Sequence, residues 1–434
     1  MKYYSTRGKN NFVSFKTAVI EGLSNDGGLF MPESIPLLPL SMIQQIENYS
    51  LREIGYEISK YFIDGEIPDQ KLSNIVEHAI NFDAPLVELS DNLSVLELFH
   101  GPTLAFKDFG ARFMAKTMEF FAAGMNRELN ILVATSGDTG SAVAHGFYGA
   151  EGIKVFILYP KGKVSFLQEK QLTTLDKNIT AIEVNGTFDD CQSLVKEAFV
   201  DEQLKSEINL SSANSINIAR LIPQSFYFIN AYKQLKDKNK PAVISVPSGN
   251  LGNITAGLMA KKMGLPVLRF IGAANKNDVF TEFITDHKFN PRKSVQTLSN
   301  AMDVGNPSNL ERIVDLYNNN IEEMRKDISS SSWSDEETEI GIKEVFEKYS
   351  YIIDPHGAVG YQALKYFLAN QNIDNVNGIV VETAHPAKFN DIVEKVTQKE
   401  IIIPDRLAVC ITKEKKSIQI KKSYNELKNL LLNT

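Results

Sequence analysis

Short runs of Val, Ile, Leu and Phe alternate with stretches of helical periodicity through the middle of the chain. Runs with so little polar interruption are typical of strands buried on both faces of a parallel sheet. The pattern therefore predicts an α/β fold, in which helices cover a parallel sheet. The predicted strands are Val95 to Phe99, Asn130 to Thr135, Lys154 to Tyr159, Ile179 to Val184, Ala242 to Val246, Leu268 to Ala273 and Gly378 to Glu382.

The first 85 residues follow another pattern. A proline-rich stretch comes after the turn Asp26-Gly27-Gly28, and an amphipathic stretch then runs from Ser41 to Phe62. This predicts an N-terminal subdomain of mostly loops and helices over residues 1–85, followed by a catalytic region over residues 86–434. Near the other end, Ser329 to Ser334 predicts a polar loop, and the lysine-rich stretch Lys413 to Lys422 predicts a solvated face or an edge strand.

Composition narrows the class of protein. The chain has 434 residues, of which 43% are hydrophobic and 23% charged, as in an ordinary globular protein of two or three domains. Its net charge of −7 has the wrong sign for a protein that coats nucleic acid or an anionic membrane. No apolar run reaches the length needed to span a membrane. Two cysteines, Cys191 and Cys410, are too few for a disulfide framework, which fits a reducing cytoplasm.

Lys107 is the first candidate for chemistry. It lies in His100-Gly-Pro-Thr-Leu-Ala-Phe-Lys-Asp-Phe-Gly110, between two aromatic residues and glycine turns. An ammonium in apolar surroundings loses hydration and its pKa falls, so that a neutral amine can condense with an aldehyde such as pyridoxal phosphate. A solvated surface lysine is the alternative, and only partner motifs can decide against it. The apolar spacing from Phe109 to Phe121 predicts a helix after Lys107 with one face packed on the sheet.

The second motif is Ser245-Val-Pro-Ser-Gly249-Asn-Leu-Gly-Asn253, which follows a predicted strand and precedes a helical stretch. Glycines in such a turn let backbone amides converge, and the helix start adds the positive end of its dipole, so the motif predicts a phosphate cup. It matches neither the GxxxxGK[ST] nor the GxGxxG nucleotide signature. A plain strand-to-helix turn remains the alternative interpretation.

Three further segments carry polar side chains near strand ends. The loop Thr135 to Ser141 offers hydroxyls and amides for a carboxylate, although helix capping alone would also favour Ser or Thr there. Asn214 to Arg220 combines amides, a hydroxyl and a guanidinium, which matches phosphate oxygens. Glu382 to Pro386 follows the last buried strand, at the edge where open α/β sheets bind ligands. His100, His356 and His385 are predicted to be structural, and the histidine spacing predicts no catalytic metal.

Together these segments resemble the threonine synthase family, pyridoxal-phosphate enzymes of the tryptophan synthase β-subunit fold group. The resemblance runs from YYSTRG and NDGGLFMP through GPTLAFKDFG, ATSGDTG, NSINIAR and PSGNLGN to DPHGAVG and ETAHPAKF. It implies fold type II: a large domain built on a parallel sheet, a smaller mobile α/β subdomain over about residues 110–220, and the N-terminal, mostly helical subdomain.

The resemblance also implies a role for each matching residue. Lys107 forms the Schiff base, Thr383 faces the pyridine nitrogen, and the cofactor phosphate is held by Gly249, Asn250, Leu251, Gly252 and Asn253. Ser136, Asp138 and Thr139 lie near the substrate carboxylate or the ring hydroxyl of the cofactor. Ser215, Asn217 and Arg220 bind the phosphate of the substrate, O-phospho-L-homoserine.

The implied reaction converts O-phospho-L-homoserine and water into L-threonine and phosphate, with Lys107 moving protons at Cα and Cβ. The alternatives are an O-phosphohomoserine phospho-lyase, a threonine or serine dehydratase, and a non-catalytic phosphate-binding descendant of the fold. The chain is expected to be a cytoplasmic monomer or homodimer that binds neither nucleic acid nor membrane.

Overall fold

Three sheets organise the chain, and the computed structural model describes residues 1–434. The N-terminal sheet is antiparallel, with Tyr3–Ser5 between Gly8–Val13 and Phe30–Pro32. The large sheet has, in order, Ile328–Ser332, Val267–Ala274, Ala242–Pro247, Asn377–Glu382, Leu93–Glu97 and Leu86–Ser90. The small sheet has, in order, Ile418–Lys421, Ile179–Asn185, Ile153–Pro160, Leu129–Ala134 and Asn209–Ser212.

Both central sheets are built from parallel pairs, apart from the antiparallel edge strand Leu86–Ser90. The seven strands predicted from apolar runs are all present, with ends within two residues of the prediction. Their success has a simple cause, because strands covered by helices on both faces must be apolar on both faces. The predicted α/β class is confirmed.

One prediction about the large sheet is wrong. Residues 329 to 332 of the predicted polar loop belong to the edge strand Ile328–Ser332, which pairs in parallel with Val267–Ala274. The hydroxyl of Ser330 donates to the carbonyl oxygen of Gly272 at 2.7 Å. Because this strand lies at the edge of the sheet, its serines are only partly buried, and the apolar signal of a central strand is missing.

The N-terminal segment also contains more strand than predicted. Gly8–Val13 is polar and largely exposed, whereas the mostly buried strands Tyr3–Ser5 and Phe30–Pro32 are only three residues long, too short for an apolar pattern to reveal them. At the other end, the strand Ile418–Lys421 confirms the edge-strand alternative for the lysine-rich stretch, and it pairs in parallel with Ile179–Asn185. The small sheet therefore includes a segment outside residues 110–220. The predicted division into a subdomain over 1–85 and a mobile subdomain over 110–220 stays a prediction.

Helices connect and cover the sheets. In the N-terminal half they are Phe15–Glu21, Leu40–Gln44, Leu51–Ile63, Asp69–Ala79, Lys107–Ala122, Asp138–Phe147, Phe166–Thr173, Phe188–Val200, Glu202–Glu207 and Ile218–Leu221. In the C-terminal half they are Gln224–Lys233, Gly252–Lys262, Val279–Asp286, Leu310–Leu316, Ile321–Asp327, Asp335–Tyr349, Pro355–Gln371, Asn390–Thr397, Asp405–Ile411 and Tyr424–Asn433. Short 3₁₀ helices span Ile46–Asn48, Asn300–Met302 and Pro386–Phe389. None of the helices combines the length and the apolar character needed to cross a bilayer.

The helix Lys107–Ala122 belongs to the largest apolar core, which also takes in the N-terminal helices and strands of both central sheets. We expected one face of this helix to pack on a sheet. Its principal neighbours are instead other helices, Asp138–Phe147, Asp69–Ala79 and Ile218–Leu221. Because helices surround it, Phe109, Phe113 and most of its other side chains are buried. This packing holds the helix, and therefore the backbone of Lys107 at its start, in a fixed position.

Candidate active site

A cleft lies where the carboxyl ends of the two central sheets face each other. It encloses about 1340 Å³, including its open mouth, and is lined by residues from both sheets. Ser136 follows a strand of the small sheet, whereas Gly249 and Thr383 follow two neighbouring strands of the large sheet. Parallel strands deliver the loops after their carboxyl ends to one edge, so three segments that are distant in sequence meet here.

Lys107 lines this cleft with a side chain that is 14% exposed. Its Nζ lies 4.8 Å from the centre of the Phe106 ring, whereas the second aromatic residue, Phe109, packs in the core against Tyr227. Burial lowers the pKa of the Lys107 amine; Asp138 opposes this shift, and the positive charges of Lys388 and Arg220 add to it. The neutral amine needed for a Schiff base is therefore favoured at this position.

The turn at Gly249 to Asn253 has the form of an anion cup. Leu251 adopts a left-handed φ of 61° and ends the turn, so that the helix Gly252–Lys262 begins with its first amides free of intrahelical partners. A Cβ at Gly249 would lie 2.8 Å from the Cα of Met302, so only glycine fits against that backbone. Asn250 braces the turn, because its amide donates to the Ser215 hydroxyl at 2.6 Å.

On the opposite wall, the loop before the helix Asp138–Phe147 brings Ser136 to the cleft, and the first turn of that helix brings Thr139. The Thr135 hydroxyl oxygen shapes the loop by accepting from the amides of Gly137 at 3.0 Å and Gly140 at 2.8 Å. Asp138 is not among the residues that line the cleft. One of its carboxylate oxygens, Oδ2, lies 3.7 Å from the Lys107 Nζ.

The segment after the strand Asn209–Ser212 divides its predicted residues. Ser215 and Arg220 line the cleft, whereas Asn217 does not. The Asn217 side-chain amide donates to the carbonyl oxygen of Val19 at 2.8 Å, which ties the segment to an N-terminal helix. The Arg220 side chain is almost completely buried, and burial lowers its pKa to about 10, so it is charged at neutral pH.

Three family models match the chain. A model of pyridoxal-phosphate-dependent enzymes matches residues 83–381, one of the threonine synthase N terminus matches residues 2–80, and one of the threonine synthase C-terminal part matches residues 357–431. Threonine synthase of Haemophilus influenzae is 46% identical over 94% of both chains, and that of Escherichia coli is 43% identical over 100% of both. The chain belongs to the threonine synthase family.

Solved structures agree with this membership. The crystal structure of threonine synthase from Escherichia coli matches with a TM-score of 0.93 and 42% identity over 100% of both chains. Pyridoxal-phosphate-bound threonine synthase from Brucella melitensis matches with a TM-score of 0.93 and 33% identity over 100% of this chain and 99% of that chain. The predicted family, fold type II, threonine synthase activity, the lyase class and the cofactor pyridoxal phosphate are confirmed.

The residues present fit this cofactor of the threonine synthase family. The cup at Gly249 to Asn253 could hold its phosphate, and the Lys107 amine in the same cleft could hold its aldehyde. The Nδ2 atom of Asn253 is buried without a hydrogen-bond acceptor, as expected where an anionic ligand belongs. Thr383 brings a hydroxyl to the cleft wall, and its carbonyl oxygen accepts from the Phe106 amide at 2.9 Å, which aligns it beside Lys107.

Sequence analysis missed several residues of this site. Lys388 is completely buried and ion-paired with Asp138, although it stands within the quoted ETAHPAKF motif. Gln224 lines the cleft with a buried Oε1 that has no donor. Arg312 donates to the carbonyl oxygens of Phe30 and Ile216, which holds the segment of Ser215 against the N-terminal region. An apolar helix pattern contains no signal for such a buried guanidinium.

The three histidines predicted to be structural are all hydrogen-bonded. His356 lies on the cleft wall, where its Nδ1 is 2.8 Å from an Asp354 oxygen and its Nε2 accepts from the Ala301 amide at 3.2 Å. His100 pairs with Glu97 at 2.7 Å. In His385, Nδ1 accepts from the Ala387 amide at 3.1 Å, and burial lowers the pKa of the ring to about 4. These partners fit a structural role for each imidazole.

Proposed function

We propose that this member of the threonine synthase family converts O-phospho-L-homoserine and water into L-threonine and inorganic phosphate. The observation that carries the proposal is the buried guanidinium of Arg220, which faces the same cleft as Lys107 and the cup at Gly249 to Asn253. One phosphate site suffices for the cofactor. A second cationic site in the same cleft indicates a substrate that carries its own phosphate.

The surroundings of Arg220 favour an anionic ligand. Its Nη1 donates to the carbonyl oxygen of Ala213 at 2.6 Å, whereas its buried Nε has no acceptor. The backbone of Gly110 packs closely against this side chain, since a Cβ there would lie 3.2 Å from the Nε. A buried cation with an unsatisfied donor is costly, and a phosphate dianion would offset that cost.

The other residues have separate tasks in the proposed reaction. When bound, pyridoxal phosphate supplies an aldehyde that captures the substrate amine and a conjugated ring that spreads negative charge. The Lys107 amine, whose pKa is lowered by burial, accepts protons from Cα and Cβ of the substrate and returns them later. Ser136 and Thr139 would bind the substrate carboxylate, and Ser215 would assist Arg220. Thr383 would place a hydroxyl near the ring nitrogen of the bound cofactor, and a hydroxyl, unlike a carboxylate, leaves that nitrogen less fully protonated.

We propose further that the small subdomain, over about residues 110–220, closes over the bound substrate and excludes water. The cleft has walls on both sheets, and Asp189 on the small-sheet side and Lys293 on the large-sheet side both lie in its lining. Hydrogen exchange with a phosphonate analogue of the substrate tests this. Added protection in residues 110–220 is expected, and unchanged exchange there would contradict closure.

The substrate assignment is tested by incubating the holoenzyme with O-phospho-L-homoserine in ¹⁸O-labelled water and identifying both products. The expected products are L-threonine labelled at its hydroxyl and an equal amount of unlabelled phosphate. Release of 2-oxobutyrate would instead make the chain a phospho-lyase. Turnover of unphosphorylated threonine at a matching rate would make it a dehydratase.

We also propose a cytoplasmic location, because Cys191 and Cys410 are both free thiols.

A further inference from the structure

A second lysine, Lys388, pairs with the Asp138 oxygen that does not face Lys107. Its Nζ is 2.6 Å from the Asp138 Oδ1 and its side chain is completely buried, whereas the Lys107 side chain is 14% exposed. Lys388 does not line the cleft. A lysine buried so deeply is rare unless an ion pair holds it there, which raises the question of what this pair does for the site.

We propose that Lys388 is a positioning residue, which holds Asp138 by one oxygen and neutralises it so that Lys107 gives up its proton readily. The proposal rests on the role of Lys107 proposed above and adds a residue that never touches the substrate.

The geometry assigns the two oxygens of Asp138 to different partners. Oδ1 accepts from the Lys388 Nζ and, at 3.0 Å, from the side-chain amide of Gln168. These two donors fix the plane of the carboxylate and leave Oδ2 directed at the Lys107 Nζ, 3.7 Å away. Burial by itself would raise the pKa of Asp138, but the ammonium groups of Lys388 and Lys107 outweigh it and hold that pKa well below its ordinary value.

Lys388 is itself held from behind. Its Nζ also donates to the carbonyl oxygen of Thr103, in the loop that leads to Lys107. Lys388 belongs to the 3₁₀ helix Pro386–Phe389 just after a strand of the large sheet, whereas Asp138 begins the helix after a strand of the small sheet. The ion pair therefore links the two halves of the cleft at the point where Lys107 lies.

The sign of the effect follows from the charges around Lys107, which are those of Asp138, Lys388 and Arg220. In the intact protein, Asp138 and Lys388 together are neutral, so Asp138 holds the Lys107 proton only weakly. Without Lys388, the negative charge of Asp138 would no longer be neutralised, so it would stabilise the Lys107 ammonium more strongly and the pKa of the Lys107 amine would rise. Without Asp138, Lys107 would face two cations and its pKa would fall.

The experiment measures the protonation of Lys107 directly, on the full-length chain freed of cofactor. Competitive acetylation with acetic anhydride across pH, followed by mass spectrometry of the Lys107 peptide, gives the midpoint of deprotonation. We expect Lys388→Met to raise this midpoint by about one pH unit and Asp138→Asn to lower it by about as much. The double variant should return close to the wild-type midpoint, because both charges of the pair are gone.

Lys365→Met is the matched control, since it removes a lysine from another 2.6 Å ion pair, with Glu344, on an exposed helix face. It should leave the midpoint unchanged. Lys388→Gln covers the case in which the methionine variant does not fold, because an amide can still donate to Asp138 without carrying charge. An unshifted midpoint in a folded Lys388 variant, or a double variant that keeps the single-variant shift, would overturn the proposal.

This readout is separate from the proposed function. The midpoint concerns an amine in the free protein and does not depend on which substrate is turned over. Conversely, a chain that makes 2-oxobutyrate in place of threonine would refute the substrate assignment and leave the role of Lys388 standing. Uptake of pyridoxal phosphate by each variant afterwards shows that the site is intact.

Discussion

The two proposed anion sites of the cleft are built from different donors. The cup at Gly249 to Asn253 uses backbone amides at a helix start, which are neutral and need no desolvation of a charge. The site at Arg220 uses a buried guanidinium whose pKa is lowered to about 10 by burial. Amides of a fixed turn suit a phosphate that stays bound, whereas a buried cation gives strong binding to a dianion that arrives and leaves.

The largest expected effect concerns Lys107, which lines the same cleft as both sites. We expect Lys107→Ala to lower turnover by at least about 10⁴-fold, because no amine remains to move protons at Cα and Cβ. The cup does not depend on this amine, so pyridoxal phosphate should still bind, and borohydride should no longer fix it to the protein. Kinetics and mass spectrometry of the reduced protein measure the two effects.

Lys116→Ala is the control for that variant, because Lys116 lies on the same helix in an ion pair with Glu119 and outside the cleft. It should leave turnover unchanged. A Lys107→Ala protein with wild-type turnover would remove Lys107 from the chemistry altogether.

The second prediction separates the two anion sites. Arg220→Gln should lower kcat/KM for O-phospho-L-homoserine by about 30- to 1000-fold, equivalent to about 2 to 4 kcal/mol for a lost charged hydrogen bond. The affinity for pyridoxal phosphate should stay unchanged, because the cup supplies its donors. Steady-state kinetics and cofactor titration of one protein preparation test both statements.

Arg52→Gln serves as its control, since Arg52 is half-exposed and donates to a carbonyl oxygen, that of Ile80, outside the cleft. Weaker cofactor binding in Arg220→Gln, with substrate binding preserved, would reverse the assignment of the two sites.

A smaller effect is expected at the cup itself. In Gly249→Ala the new Cβ would meet backbone atoms of Met302 at 2.8 Å and Ala301 at 2.9 Å, so the turn must shift. We expect the Kd for pyridoxal phosphate to rise by about 5- to 150-fold, equivalent to about 1 to 3 kcal/mol of strain. Equilibrium titration of the apoprotein measures it. Gly124→Ala, where a Cβ meets nothing within 4 Å, should have no effect on this Kd.

The smallest effect concerns Asn217, to which the family resemblance gives a role in binding the substrate phosphate. Its amide bonds to Val19 and Ser212 predict a structural contribution to the Arg220 segment. Asn217→Ala should lower the free energy of unfolding by about 1 to 3 kcal/mol, measured by urea denaturation, with little change in KM. Ser215→Ala should instead raise KM for O-phospho-L-homoserine and change the free energy of unfolding little. A large rise in KM with unchanged stability would return Asn217 to the substrate site.

Features that depend on residues adjacent in the sequence could be predicted. The seven buried strands were found because strands covered on both faces are apolar throughout. The cup at Gly249 to Asn253 and the setting of Lys107 were found because a turn and its glycines form one continuous segment. The half-exposed strand Ile328–Ser332 was missed because its serines give no apolar pattern. It is a strand because its backbone pairs with Val267–Ala274, a segment that is distant in the sequence.

By itself, then, the sequence determined the family, the α/β class, the cofactor, and Lys107 and the phosphate cup as its candidate sites. Only the tertiary structure decided that Lys388 pairs with Asp138 behind Lys107, that Arg312 supports the segment of Ser215, and that Asn217 lies outside the cleft. The physical reason is that burial and ion pairing depend on segments far apart along the chain, which come together only when the two sheets pack around one cleft.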